Sequence, residues 1–258
     1  MGLRGVVLSI GLFFCAGVAH GATEVESNDD LPEVSVTLSS WSLIPTFSMT
    51  SLSSTDSQTG KVANATSAMN PRITAEYSMI WTHKFRSYAR IGMAFIKFDR
   101  SNDSLRDMSS PSQFTSLMAL GGVFEIAEKF RVDTYLGYRK GALLRWASPT
   151  SLGLDVIDTP IIGATLESDL VTRGIGRFGV KMGLEATSAA ETDAYHVKMG
   201  TMVSAGFYLL QRTGTSMSND VSEVSVEYYR RRQDSTWSEQ RESGVTFSWK
   251  TSLQMKSR

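Results

Sequence analysis

From Arg72 to His83 apolar and polar residues alternate, with Ile80 the one apolar residue on the polar face. Ile73, Ala75, Tyr77, Met79 and Trp81 share one face of a strand, and Thr74, Glu76, Ser78 and Thr82 the other, because successive strand side chains point to opposite sides. The pattern recurs. Ala89, Ile91, Met93 and Phe95 oppose Arg90, Gly92 and Ala94. Phe114, Met118, Leu120, Phe124 and Ile126 oppose Thr115, Ala119, Gly121 and Glu125, and Phe130, Val132, Leu136 and Tyr138 oppose Arg131, Asp133, Gly137 and Arg139. Phe178 to Leu184 sets its apolar positions against Gly179, Lys181, Gly183 and Glu185; Val197 to Leu209 sets its own against Lys198, Gly200, Ser204 and Gly206. Val224, Val226 and Tyr228 alternate with Glu223, Ser225 and Glu227, and Val245, Phe247 and Trp249 with Thr246, Ser248 and Lys250. Two weaker segments complete the set. One starts near Val34 and loses parity around Ser39–Trp41; the other runs from Pro160 to Leu170 with Ile162, Ala164 and Leu166 outward. The sum is about ten strands, with eight or twelve as alternatives.

The connections alternate in length. His83–Arg86 and Ala127–Lys129 are tight, while Ser51–Asn70, Asp99–Gln113, Lys140–Thr159, Ala186–Ala194 and Arg232–Ser243 are longer and polar. Gln211–Asp220 falls on the short side by parity and is the exception. Aromatic residues gather at strand ends beside the tight turns (Trp81, Phe85, Phe124, Phe130, Phe178, Phe207, Phe247, Trp249), with a second set, including Tyr77, Phe95, Tyr195 and Tyr228, further up. Short turns at one end, long loops at the other and two aromatic belts are the layout of a barrel crossing a bilayer.

The ends of the chain add a compartment. Arg4 followed by the apolar run Val6–Val18 and the small residues around Gly21 reads as a secretory signal peptide over residues 1–21. Its apolar core is too short for a spanning helix. The single cysteine, Cys15, lies within it, so the mature chain is expected to hold neither disulfide nor thiolate metal site. Residues 22–33 carry Glu24, Glu26, Asp29, Asp30 and Glu33 and read as an acidic periplasmic lead-in. Residues 34–253 are then the barrel and 254–258 a basic tail. The balance of 26 basic and 26 acidic residues leaves no basic footprint for a nucleic acid. With 41% hydrophobic residues the bulk composition looks soluble, which strands alternating between lipid and lumen also produce. A Gly-rich phosphate loop and paired-His metal spacing are both missing from the sequence, so no cofactor, metal or catalytic residue is expected.

The stretch Glu242-Ser-Gly-Val-Thr-Phe-Ser-Trp249 runs polar, any, Gly, any, any, apolar, any, aromatic. It resembles the closing-strand signal of bacterial outer-membrane β-barrels, with Glu242, Gly244, Phe247 and Trp249 as its marked positions. That resemblance implies an all-β fold, an antiparallel transmembrane β-barrel of small single-chain type. It also implies the barrel-assembly machinery and outer-membrane lipid as partners. Arg230, Arg231, Arg232 and Arg241 around the last long loop offer charge-assisted contacts to lipopolysaccharide phosphates, against a solvated loop rim as the other reading.

The polar faces hold the chemistry. Glu76, Glu125, Asp133, Glu185 and Glu227 face Arg90, Arg131, Arg139, Lys181 and Lys198 across the expected lumen, with glycines leaving room for long side chains. A charge-paired filling of a narrow barrel is one outcome; a charged constriction in a passive pore is the other. A rim hydrolase built on His196 with Asp193 and Glu191 would be a different class of protein, but the spacing Asp193-Ala-Tyr-His196 does not reproduce the acid–His arrangement of the ten-stranded omptin proteases. A soluble secreted barrel carrying a ligand is a third reading.

Overall fold

The computed structural model describes residues 38–82, 84–99, 112–148, 151–191, 196–213 and 220–256. The signal peptide, the acidic lead-in, the strand start near Val34, His83, Asp193 and Tyr195 lie outside these residues.

Twelve strands run in chain order: β1 Leu38–Asp56, β2 Val62–Thr82, β3 Phe85–Lys97, β4 Ser112–Ala127, β5 Phe130–Ser148, β6 Ser151–Arg173, β7 Gly176–Thr187, β8 Ala190–Glu191, β9 His196–Val197, β10 Gly200–Thr213, β11 Asp220–Asp234 and β12 Ser238–Lys256. Ten of them form one closed antiparallel barrel in which each strand pairs with its neighbours in sequence, and β12 returns to β1. The pair β8–β9 is a separate two-stranded flap. Closure leaves no open edge, which is the condition for placing backbone polar groups in a lipid environment.

The expected parity holds along the middle of the barrel. Ile73, Ile91, Leu120, Met182 and Phe207 point outward and are 56–62% exposed, while Thr74, Glu76, Ser78, Lys181 and Glu185 point inward and are buried. A water-soluble fold of this size would bury the first set and expose the second. The closing stretch sits as read: Val245, Phe247 and Trp249 are outward, and Lys250 is inward and buried. Only two residues separate β2 from β3, β4 from β5 and β6 from β7 at one end. The connections at the opposite end are not all longer, for two residues separate β5 from β6 and three separate β11 from β12. Gly174, at φ +56°, supplies the left-handed position in the turn between β6 and β7.

The strands are longer than the alternation suggested. β1 has 19 residues, β2 21 and β6 23, against the ~9–11 needed to cross a bilayer. Three stretches expected as polar loops, Ser51–Asn70, Lys140–Thr159 and Arg232–Ser243, are therefore mostly hairpin strands. The reason is visible in β1 and β2. Above Thr50 the alternation changes sign: Leu52, Ala63 and Ala65 are buried inward, while Ser51, Asn64 and Thr66 are exposed. Where a barrel leaves the membrane its outer face meets water, so the apolar face must turn inward. At the other end β12 continues to Lys256 and pairs with β1 as far as Leu38, so residues 254–256, expected in the tail, close the sheet.

Val197 and Lys198 depart from the expected strand. β10 begins only at Gly200, and Val197 is fully buried with Leu143 and Ile157 under the β8–β9 flap. Lys198 sits exposed in the link before β10, at the rim rather than among the lumen charges.

Candidate functional site

The inward faces of the ten strands meet in a cavity of about 630 Å³ lined largely by charged and hydroxyl side chains. Four strand pairs repeat one unit inside it. A tyrosine on one strand lies against a glycine directly opposite on the next: Tyr88 and Gly121, Tyr135 and Gly163, Tyr208 and Gly179, Tyr229 and Gly244. A Cβ at Gly163 would lie 2.3 Å from Tyr135 Cζ, and one at Gly179 2.4 Å from Tyr208 Cζ, so only glycine admits the ring. Lying flat, each ring reaches a carboxylate with its hydroxyl. Tyr88 donates to Asp133, Tyr135 to Glu185, Tyr208 to Asp169 and Tyr229 to Glu242.

Each of those carboxylates also takes an arginine. Arg90 Nη2 is 3.2 Å from Asp133, Arg139 Nη2 2.6 Å from Glu185, Arg131 Nη2 3.2 Å from Asp169 and Arg231 Nη1 3.1 Å from Glu242. The Arg139–Glu185 pair is two-pronged, the geometry in which a guanidinium fork matches a carboxylate best. Further links tie the units together. Glu76, with no exposed surface, accepts from Lys250 at 2.6 Å and Arg90 at 2.5 Å. Arg131 also reaches Glu167 at 3.3 Å, Arg177 reaches Asp169 at 3.1 Å, and Lys181 lies 2.9 Å from Glu227 and 3.6 Å from Glu223.

Nine of the ten lumen charges read from the sequence line this cavity or its pairs, Lys198 being the exception. Glu125 lines the cavity but forms no ion pair among the described residues, because Arg131, opposite it in the ladder, turns toward β6. Sequence reasoning missed Glu167 and Asp169, which sit in the segment with the weakest alternation. It also missed the four tyrosines. The glycines were read as space for long charges from the far wall; two of them, Gly121 and Gly179, instead hold rings from the adjacent strand. Tyrosine opposite glycine on a polar face was the available signal.

Above the charged layer the lumen turns apolar. Leu52, Ala63, Ala65, Leu144 and Leu154, from four strands, and Phe98, just past the end of β3, pack together, with Ile96 and Ala142 against them. β5 contributes here because it outruns β4: their pairing ends at Ser116 and Lys140, so the upper edge of β5 has no β4 neighbour. Residues from the opposite wall cover that edge. Gln240 Oε1 accepts from the Leu144 amide at 2.8 Å, Gln240 Nε2 donates to the Ala142 carbonyl at 3.5 Å, and Ser54 Oγ donates to the Leu144 carbonyl at 3.1 Å. The β5–β6 hairpin thus bends across the mouth onto β1 and β12.

The rim holds little else. His196 is exposed, with Nδ1 3.3 Å from Glu191, and its side chain has no hydroxyl or thiol partner among the described residues. Arg230, Arg232 and Arg241 are exposed at the loop end, and Arg232 pairs with Asp234 at 3.0 Å. No group of His, Cys, Asp and Glu among the described residues could hold a metal ion.

No protein-family model matches the chain, and no curated relative matches it. Among solved structures it is similar to the outer membrane protease OmpT of Escherichia coli, at 10% identity over 90% of this chain and 100% of that one, with a TM-score of 0.42. It is likewise similar to the β domain of the Bordetella autotransporter BrkA, at 10% identity, 86% and 100% coverage and TM-score 0.42. A third similar structure is the attachment invasion locus protein Ail of Yersinia pestis, at 10% identity, 85% and 99% coverage and TM-score 0.33.

Proposed function

We propose that the chain is a small bacterial outer-membrane β-barrel whose lumen is closed by its own side chains around an internal cavity, a structural or surface-anchoring barrel rather than an open pore. The observation that carries this reading is the double closure: four tyrosine–carboxylate–arginine units across the lumen, and an apolar layer above them pinned by Gln240 and Ser54. A selective pore needs a wet constriction that ions enter and leave. Here most of the lumen charges are paired with one another, and the outer mouth is apolar.

Membrane insertion is supported by the exposed apolar exterior, which a secreted ligand carrier would not tolerate. Export through a cleaved signal peptide over residues 1–21 completes the route. The exposed His196–Glu191 pair adds no support to a rim hydrolase, for the His196 side chain has no hydroxyl or thiol partner among the described residues. Fractionation tests the location. The protein should sediment with outer membranes and require detergent to stay in solution; recovery as a soluble periplasmic monomer contradicts the reading and favours the carrier.

A further inference from the structure

The lumen charges are not matched evenly along the barrel. In the layer beneath the apolar mouth, Arg72 on β2, Arg139 on β5 and Arg231 on β11 all line the cavity. The carboxylates there are Glu185 on β7 and Glu242 on β12. Arg139 holds Glu185, and Arg231 holds Glu242 while lying 4.0 Å from Glu185. Both carboxylates also accept a tyrosine hydroxyl. They are fully used, and the third guanidinium is left over. Arg72 makes no hydrogen bond or ion pair among the described residues. It feels the positive charges of Arg139 and Arg231 together with the negative charge of Glu242, so the three cations act on one space.

A second observation falls in the same place. The Nε groups of Arg139 and Arg231 are buried and have no hydrogen-bond partner. Buried donors in folded proteins are nearly all satisfied, and a stranded one is an invitation to an unseen partner. Hydroxyls of Thr46, Thr50 and Thr246 line the same cavity. An unpaired guanidinium, two orphaned guanidinium N–H groups and several hydroxyls therefore face one cavity with an excess positive charge.

We infer that Arg72, Arg139 and Arg231 form a binding site for a small tetrahedral oxyanion, phosphate or sulfate, in the middle of the lumen. Guanidinium groups match such ions because their planar donor forks meet several acceptor oxygens at once. A halide offers one acceptor centre and satisfies fewer of the donors. This site does not depend on the membrane reading, since the cavity exists whether the outside meets lipid or water.

The test uses the purified full chain folded in detergent, titrated with inorganic phosphate, sulfate and chloride at equal ionic strength, with thermal unfolding and calorimetric binding as readouts. Phosphate and sulfate should raise the melting temperature and chloride should not. Arg72→Gln should weaken oxyanion binding at least tenfold, yet melt higher than the unmutated protein in chloride, because it no longer buries an unpaired charge. Arg72→Lys keeps the charge without the fork, and should fold and bind more weakly. Arg230→Ala, which removes an exposed cation from the outer face, should keep the full response. Glycerol phosphate is the remaining arm: tighter binding than inorganic phosphate assigns the site to a phosphate on an organic group, and the reverse order to the free ion. An equal response to chloride and phosphate, or wild-type affinity in Arg72→Gln, overturns the inference. Should the protein prove soluble in the periplasm, the same titration runs without detergent, so failure of the membrane reading and failure of the site are separable.

Discussion

Tyr88 lies on Gly121 and donates its hydroxyl to Asp133, so the two residues make opposite predictions. Gly121→Val puts a branched side chain where the ring lies and should prevent the barrel from folding, read as loss of the heat-modifiable form on gels. Tyr88→Phe keeps the ring and loses one hydrogen bond to a charged group, so it should fold and lose about 1.5–3 kcal/mol in a denaturant series. Folding of Gly121→Val at wild-type yield would show that the ring can move aside. Glu76 is the more severe case, because Lys250 and Arg90 both converge on it. Glu76→Gln leaves the buried Lys250 without its counter-charge and Arg90 with Asp133 alone, and should cost ~3–5 kcal/mol; a loss below about 1 kcal/mol, the level of a surface pair, means the lumen is wet. At this scale the sequence was legible in its charges and silent about their partners. Parity told which residues face inward, but register between strands decides who meets whom, and a tyrosine on a polar face looks the same whether or not a glycine stands opposite.

The elements were legible only where lipid is expected outside them. Within that band most strands are apolar outward and polar inward, and the period of two is plain except in β1 and β6. In the upper β1–β2 hairpin the sign reverses, with Leu52, Ala63 and Ala65 inward and polar neighbours outward, so a search for one consistent face ends the strand too early. In the β5–β6 hairpin the extra length leaves a free edge at Leu144, and Gln240 and Ser54 hold it. Gln240→Ala strands the Leu144 amide and should release the hairpin: amide exchange at Leu144 should speed up at least tenfold, while exchange in the lower strands stays unchanged. Unchanged protection at Leu144 would remove Gln240 from the closure. The closing strand gives a second contrast. Phe247 and Trp249 face outward and Thr246 and Ser248 inward; changing the aromatic pair to Ser should reduce assembly far more than changing the polar pair to Ala, measured as folded barrel in the membrane fraction.

The described barrel presents an apolar outside and a charged inside, and that inversion is what supports the proposed place in a membrane. Lipid-facing positions should then punish charge by depth: Met182→Arg on the exterior of β7 should cost ~2–4 kcal/mol near the bilayer midplane, whereas Thr246→Arg on the lumen side should act through its neighbours only. Ten strands could be counted from the alternation, but the seal could not, because it depends on a hairpin crossing to the far wall. The seal is the central claim, and planar-bilayer recording of the purified protein tests it most directly. The account predicts no steady conductance from the unmutated barrel, and openings only when Gln240→Ala is combined with Leu144→Ser. A stable, ion-selective conductance in the unmutated protein, with a preference that shifts in Lys181→Ala, would contradict it and make the barrel a pore.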